Sequence, residues 1–197
     1  MSKKTTNSIF TFGLVLMLIS CGEDQFQPKP RGYFRIDMPE KTYSLFSSDC
    51  PFELELPNYA RVEMRPSDQT DTCWFNVAFP RFNARFHCTY LPVDTNFHVL
   101  LNEAYAFAFK HELKASAIRR EPFAIPQDHV YGLIYDLEGE VATSLQFYAT
   151  DSTEHFLRGS LYFNSRPNVD SLAPVLAFIR QDLQHMIQTL HWKQEIK

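Results

Sequence analysis

The sequence predicts an α+β domain, a mostly antiparallel sheet covered by two amphipathic helices. Three observations carry this. Apolar and polar residues alternate with period two over residues 52–57, 72–91 and 117–164, the mark of half-buried strands. The period changes to about 3.6 over residues 96–113 and 171–190, the mark of amphipathic helices. Eighteen phenylalanines and an aromatic content of 15% supply a core, while only six glycines leave little room for phosphate-cradling loops.

The chain opens with Lys3 and Lys4, followed by the apolar run Ile9 to Ile19, interrupted only by Thr11 and Gly13. At about eleven residues the run is too short for the roughly 20 that cross a bilayer. A basic start, a short apolar centre and the small Ser20 mark residues 1–20 as a secretory signal peptide. Leu18, Ile19, Ser20 and Cys21 also resemble the bacterial lipobox, whose cysteine takes acyl chains such as palmitate on sulfur and then on the new amino group. An ordinary signal peptide ending near a cysteine is the alternative reading. Two or more chains hold a protein stably, each buried methylene contributing roughly 0.8 kcal/mol, so Cys21 is the expected anchor. Loss of residues 1–20 lowers Lys plus Arg from 19 to 17 against 23 acids, a net charge of −6. That balance argues against nucleic acid as a partner, because phosphates are bound by Lys and Arg.

Residues 21–49 read as a lipidated N-terminus and a proline-containing tether, and residues 50–197 as a single globular domain. A flexible tether of this length has an r.m.s. reach of about 30 Å. Tyr33, Phe34, Ile36, Met38, Tyr43, Leu45 and Phe46 are nevertheless too many apolar groups for a pure linker. The stretch PKPRGYFRIDMPEKTY is therefore expected to pack on the domain or on a partner.

Within the domain, FELELP sets Phe52, Leu54 and Leu56 against Glu53 and Glu55, a half-buried strand. TCWFNVAF and ARFHCTYL follow as two strands, with Pro80 to Asn83 as their turn. The first helix buries Phe97, Leu100, Leu101, Ala104 and Ala108, with Asp94, Thr95 or Asn96 able to cap it and Lys110 and His111 suiting its negative end. AIRREPFAI, VYGLIYDLEG, EVATSLQFYATD and HFLRGSLYFN return to strands in a meander, with residues 150–155 as a turn. The last helix aligns Leu172, Val175, Leu176, Ile179, Leu183, Met186, Ile187 and Leu190, with Asp170 or Ser171 as cap and Pro174 in the first turn.

Besides Cys21 the chain holds Cys50, Cys73 and Cys88, in a protein bound for an oxidising compartment. One disulfide and one free thiol is the simplest arrangement. Cys50 with Cys73 is the expected pair, since Cys50 opens the folded region and Cys88 lies inside a strand, FHCTY. The other two pairings stay open.

TDSTEH contains the residue types of a hydrolase triad in Asp151, Ser152 and His155. Nucleophile, base and orienter must converge in hydrogen-bonding order, which side chains of one short turn rarely do. No GxSxG elbow flanks Ser152 or Ser144. The seven histidines are dispersed: His87 and Cys88 point to opposite strand faces, and His185 and His191 lie about 120° apart around a helix. No HExxH, CxxC or EF-hand spacing occurs, so neither a metal nor a cofactor is expected. Arg81 and Arg85 interleave with Phe79, Phe82 and Phe86, and Lys110, Lys114, Arg119 and Arg120 gather near the first helix's end. Both read as solvated surface, or as contacts for an acidic partner.

Taken together, residues 28–43 (PKPRGYFRIDMPEKTY), CWFN at 73–76, TDSTEHFLRGSLYF at 150–163 and PNVDSLAPV at 167–175 resemble the gliding-motility-associated lipoprotein D (GldD) family of Bacteroidota. The resemblance covers nearly the whole mature chain. It implies a non-enzymatic envelope lipoprotein required for gliding and for the associated type IX secretion, working through contacts with other gliding and secretion envelope proteins and needing no small-molecule substrate. Only the lipidated cysteine, Cys21 here, carries over as a functional residue; Cys88 has no place in the pattern. The element order is similar to PsbP- and Mog1-type domains, a fold analogy that leaves function open. The implied location is the outer membrane facing the periplasm, with the inner membrane, or the cell surface through Glu23 and Asp24, as alternatives. An envelope hydrolase or small-ligand-binding lipoprotein using Asp151, Ser152 and His155 is the competing reading.

Overall fold

Alternation along FELELP buries Phe52, Leu54 and Leu56 and leaves Glu53 and Glu55 part-exposed, but this strand belongs to a sheet of its own. The computed structural model describes residues 36–66, 72–110, 112–164 and 169–193, all within one compact unit, Tyr33–Lys197. The signal peptide, Cys21 and residues 22–35 lie outside them. Strand β2 (Phe52–Pro57) pairs on one side with β1 (Tyr43–Ser47) and on the other with the two-residue β10 (His191–Trp192), both antiparallel. β1 lies inside the stretch read from sequence as tether. Its Tyr43 stands opposite Pro57 and its Phe46 stacks on Phe75, so apolar residues that a linker does not need are what draw it into the fold.

The larger sheet has seven strands, β3 (Arg61–Arg65), β4 (Cys73–Phe79), β5 (Ala84–Pro92), β6 (Ala115–Ile125), β7 (Val130–Gly139), β8 (Thr143–Thr150) and β9 (His155–Phe163). Their order is β3-β4-β5-β9-β8-β7-β6, and every pairing is antiparallel. RVEMR alternates weakly, with only Val62 turned partly inward, which hides β3 from a hydrophobicity reading.

Two hairpins turn by the same device. Pro80 and Pro126 each start a single 3-10 turn, after which Asn83 (φ 49°) and His129 (φ 53°) take the left-handed conformation and donate their N–H back to the proline carbonyl. Asparagine tolerates that conformation, which made the first turn legible.

The helices are α1 (Phe97–Phe109) and α2 (Val169–Gln188). Asn96 precedes α1, but its side chain accepts the Asp94 N–H instead of capping the helix. α1 ends at Phe109, with Lys110 just after it, and His111 lies outside the described residues. α2 begins at Val169, two residues earlier than the cap signal suggests, so Pro174 falls in the second turn instead of the first.

Side chains on alternate faces of the large sheet build two cores. On the inner face, Phe75, Val77, Phe86, Leu145, Phe147, Leu157 and Leu161 meet Phe52 and Leu54 of β2 and Ile179, Leu183 and Met186 of α2. On the outer face, Leu100, Ala104 and Ala108 of α1 pack near Phe156, Tyr135, Tyr148 and Leu137. Each fully buried Leu, Ile or Phe contributes roughly 1.5–3 kcal/mol, so the inner core carries most of the stability.

Candidate functional site

The corner between β8 and β9 brings Asp151, Ser152 and His155 close in space. A chain reversing within four residues leaves backbone N–H groups unpaired, and a short carboxylate can collect them. Asp151 does so: its Oδ1 accepts the N–H groups of Thr153 (3.0 Å), Glu154 (2.9 Å) and His155 (2.8 Å), while Oδ2 accepts the Thr153 hydroxyl (3.0 Å). Burial works to raise the Asp151 pKa, but these four bonds outweigh it and hold the carboxyl below the usual range. Ser152 takes φ 71° and donates its N–H to Thr150 Oγ1 (2.9 Å).

His155 is buried and turned inward, as its place on the core face of β9 requires. Its Nδ1 shares a hydrogen bond with the Tyr90 hydroxyl at 2.8 Å, and its ring stacks on Trp192 with centroids 4.9 Å apart. Trp192 in turn donates its indole N–H to the His129 carbonyl. The corner thus holds no Ser–His hydrogen bond, and Asp151 orients backbone instead of imidazole; the triad chemistry requires the reverse. Asp151, Glu154 and His155 each offer an atom within 4.8 Å of the others, a spacing a metal could use. Oδ1 of Asp151 is already saturated by three N–H donors, however, and the Tyr90 bond occupies one His155 nitrogen, so the donor set fits a turn better than an ion.

Beneath this corner Cys50 and Cys73 are disulfide-bonded, their Cα atoms 5.9 Å apart, which ties the start of β2 in the small sheet to β4 in the large one. Cys88 is a free buried thiol, its pKa pushed well up by burial, and so is inert. Cys21 lies outside the described residues.

A second constellation escaped the sequence reading. Asp182 on α2 is fully buried, and its carboxylate accepts Lys41 Nζ at 2.6 Å, Tyr43 OH at 2.9 Å and Tyr59 OH at 2.5 Å. Lys41 also donates to the Phe178 carbonyl at 2.9 Å and lies 3.7 Å from the centroid of the Phe178 ring. Burial, then the hydrogen bond to Asp182 and its charge, push both tyrosine pKa values well up. A charge buried without partners is prohibitively costly, and three donors satisfy this one. The signal available in sequence was a single acid, Asp182, inside the apolar stripe of a helix predicted to face the core. Nearby, Arg81 and Arg85, read from sequence as solvated surface, pair with Asp37 (2.7 Å) and Glu63 (3.2 Å) within the same chain.

The sheets, the buried clasp and the disulfide define a protein of the α+β class whose N-terminal approach is locked to its last helix. Within that class the chain belongs to the gliding motility lipoprotein GldD family, whose pattern it matches over residues 23–192. The match begins two residues beyond Cys21 and includes Lys41, Tyr43, Tyr59 and Asp182. No curated protein matches the chain. Among solved structures, the solution structure of cyanobacterial PsbP (CyanoP) from Synechocystis sp. PCC 6803 is similar at 11% identity, covering 81% of this chain and 97% of that one with a TM-score of 0.47.

Proposed function

We propose that this chain is a non-enzymatic cell-envelope lipoprotein, anchored through acylated Cys21, that serves gliding motility and the associated type IX secretion through protein–protein contacts. The observation that carries the reading is the family match starting at Glu23, immediately behind the lipobox LISC. The acidic mature chain agrees, since it approaches the membrane by lipid and not by charge. The non-enzymatic reading is supported by Asp151 serving its own turn and His155 being bonded to Tyr90. The reading puts the domain at the outer membrane facing the periplasm, with the cell surface and the inner membrane as the alternatives, and the lipoprotein family match supports a lipid-anchored envelope location.

Deletion of the gene is expected to abolish colony spreading and secretion, and complementation with S152A or H155A to restore both. Normal spreading in the deletion strain overturns the reading. C21A is expected to leave the membrane fraction; its retention there after a high-salt wash overturns the anchor.

A further inference from the structure

The outer face of the large sheet carries a row of polar side chains that the core does not explain. Tyr135, Gln146, Ser160, His87, Asn76 and Glu63 stand opposite one another in register across β7, β8, β9, β5, β4 and β3. One end of the row is internally satisfied. Asn76 Nδ2 donates to Glu63 Oε2, which leaves Asn76 Oδ1 to accept His87 Nδ1–H at 2.8 Å and so fixes the imidazole.

The other end is not. Between α1 and this face lies a cavity of about 360 Å³, lined by His87, Phe107, Tyr135, Gln146, Arg158 and Tyr162 among others. Its volume is at the low end of the range for small-molecule sites, roughly 300–1,000 Å³. Gln146 is 5% exposed and Tyr135 3% exposed, yet neither the carboxamide nor the phenol has a hydrogen-bond partner among the described residues. Both polar groups open onto the hollow instead of being sealed in the core, so each is free to bond a molecule held there.

Arg158, two residues before Ser160 on the same face, sharpens the chemistry. Its side chain is 26% exposed and stacks over Phe107 at 4.5 Å, and its nearest acid, Glu103, is 3.8 Å away without a hydrogen bond. None of its guanidinium N–H groups is hydrogen-bonded among the described residues. A desolvated guanidinium with free forked donors matches a carboxylate. A single cation flanked by Glu103 neutralises one negative charge, not the two of a phosphate, and the surrounding rings favour an apolar body. We propose that this cavity binds a small monocarboxylate with an apolar or aromatic body, its carboxylate on Arg158 and a polar edge on Gln146 and Tyr135. The site is separate from the β8–β9 corner. It does not depend on the motility reading.

The test is calorimetric titration of the full-length lipoprotein in nanodiscs with 3-phenylpropionate, its uncharged amide 3-phenylpropanamide, and inorganic phosphate. The acid is expected to bind, with the amide and phosphate each at least about tenfold weaker, as loss of a charge-assisted hydrogen bond predicts. R158M and Q146M are each expected to weaken the acid about tenfold, while R119M, at an exposed arginine paired with Glu138, leaves it unchanged. Equal binding of acid and amide on the unmodified protein overturns the proposal, and this comparison stands even if R158M fails to fold. So do undiminished binding to folded R158M and failure of the acid to bind.

Discussion

Lys41 Nζ and Asp182 Oδ1 lie 2.6 Å apart, joining the segment before the first strand to the last helix across 141 residues of sequence. Asp182 has no exposed side-chain surface, whereas Lys41 keeps 24% of its own. The two residues are therefore unequal. Removing the lysine leaves a carboxylate still bonded to two phenols; removing the carboxylate strands a lysine and two hydroxyls. D182A is expected to cost about 3–5 kcal/mol and K41M about half that, by analogy with broken buried pairs. Urea unfolding of both variants measures the difference, and an equal loss would show that the tyrosines contribute nothing.

The same carboxylate governs behaviour in alkali. Tyr43 and Tyr59 ionise in the folded protein well above the ordinary tyrosine value, first through burial and then through Asp182. A group whose folded pKa exceeds its unfolded pKa stabilises fully below the unfolded value and loses that contribution as pH rises past it. Stability is therefore expected to fall from about pH 10 upward, where unfolded tyrosine begins to ionise. Thermal melts between pH 9 and 11 are expected to show a shallower decline for Y59F than for the unmodified protein.

Neither of these features is visible in hydrophobic pattern, which explains where the sequence was legible and where it was not. Burial follows period, so the strands from Cys73 to Pro92 and from Val130 to Phe163, both helices, and the stripe Leu100, Ala104, Ala108 could be read directly. β1 and β10 could not: YSLFS and HW alternate too little, and each is a strand only because β2 lies between them. Assigning FELELP to the large sheet's partner and not to the sheet itself likewise depends on contacts far apart in sequence. The polar row from Tyr135 to Glu63 exists only once six strands are in register.

The Cys50–Cys73 bridge closes a loop of 23 residues between two different sheets. Chain entropy in the unfolded state gives such a closure a value of about 3 kcal/mol. The C50A/C73A double variant is expected to lose that much in guanidinium unfolding. Cys88, buried and held protonated, is expected to resist a thiol-specific reagent in the native protein and to react only on unfolding; rapid labelling of Cys88 in the folded bridged protein would contradict its placement.

Gly132 and Gly159 provide a comparison between rigid and yielding neighbours. A methyl group at Gly132 would collide with the Tyr148 carbonyl oxygen, part of the backbone of the next strand, whereas one at Gly159 would strike the Phe147 ring, with Cys88 Sγ at 3.2 Å. A ring can turn and a hydrogen-bonded strand cannot. G159A is expected to cost roughly 1–3 kcal/mol, the usual range for overpacking, and G132A more. Comparative denaturation of the two variants decides the order.

Asp151 separates a structural from a catalytic role at the β8–β9 corner. Its three backbone bonds and the Thr153 hydroxyl all reach the carboxylate, and they overcome the opposing effect of burial to hold its pKa below the ordinary aspartate value. A depressed folded pKa contributes stability that is complete above the unfolded pKa, about 3.9, and is lost as pH falls below that toward the folded value. D151N keeps an oxygen for the N–H groups but carries no charge, so its stability is expected to be flatter than that of the unmodified protein between pH 4 and pH 2. D151A, which leaves three N–H groups without an acceptor, is expected to cost about 2 kcal/mol at neutral pH. If the corner were catalytic, S152A and D151N would abolish function while leaving the fold intact. As a turn cap, Asp151 predicts the opposite ranking: D151A lowers stability and protein abundance most, D151N less, and S152A leaves colony spreading unchanged.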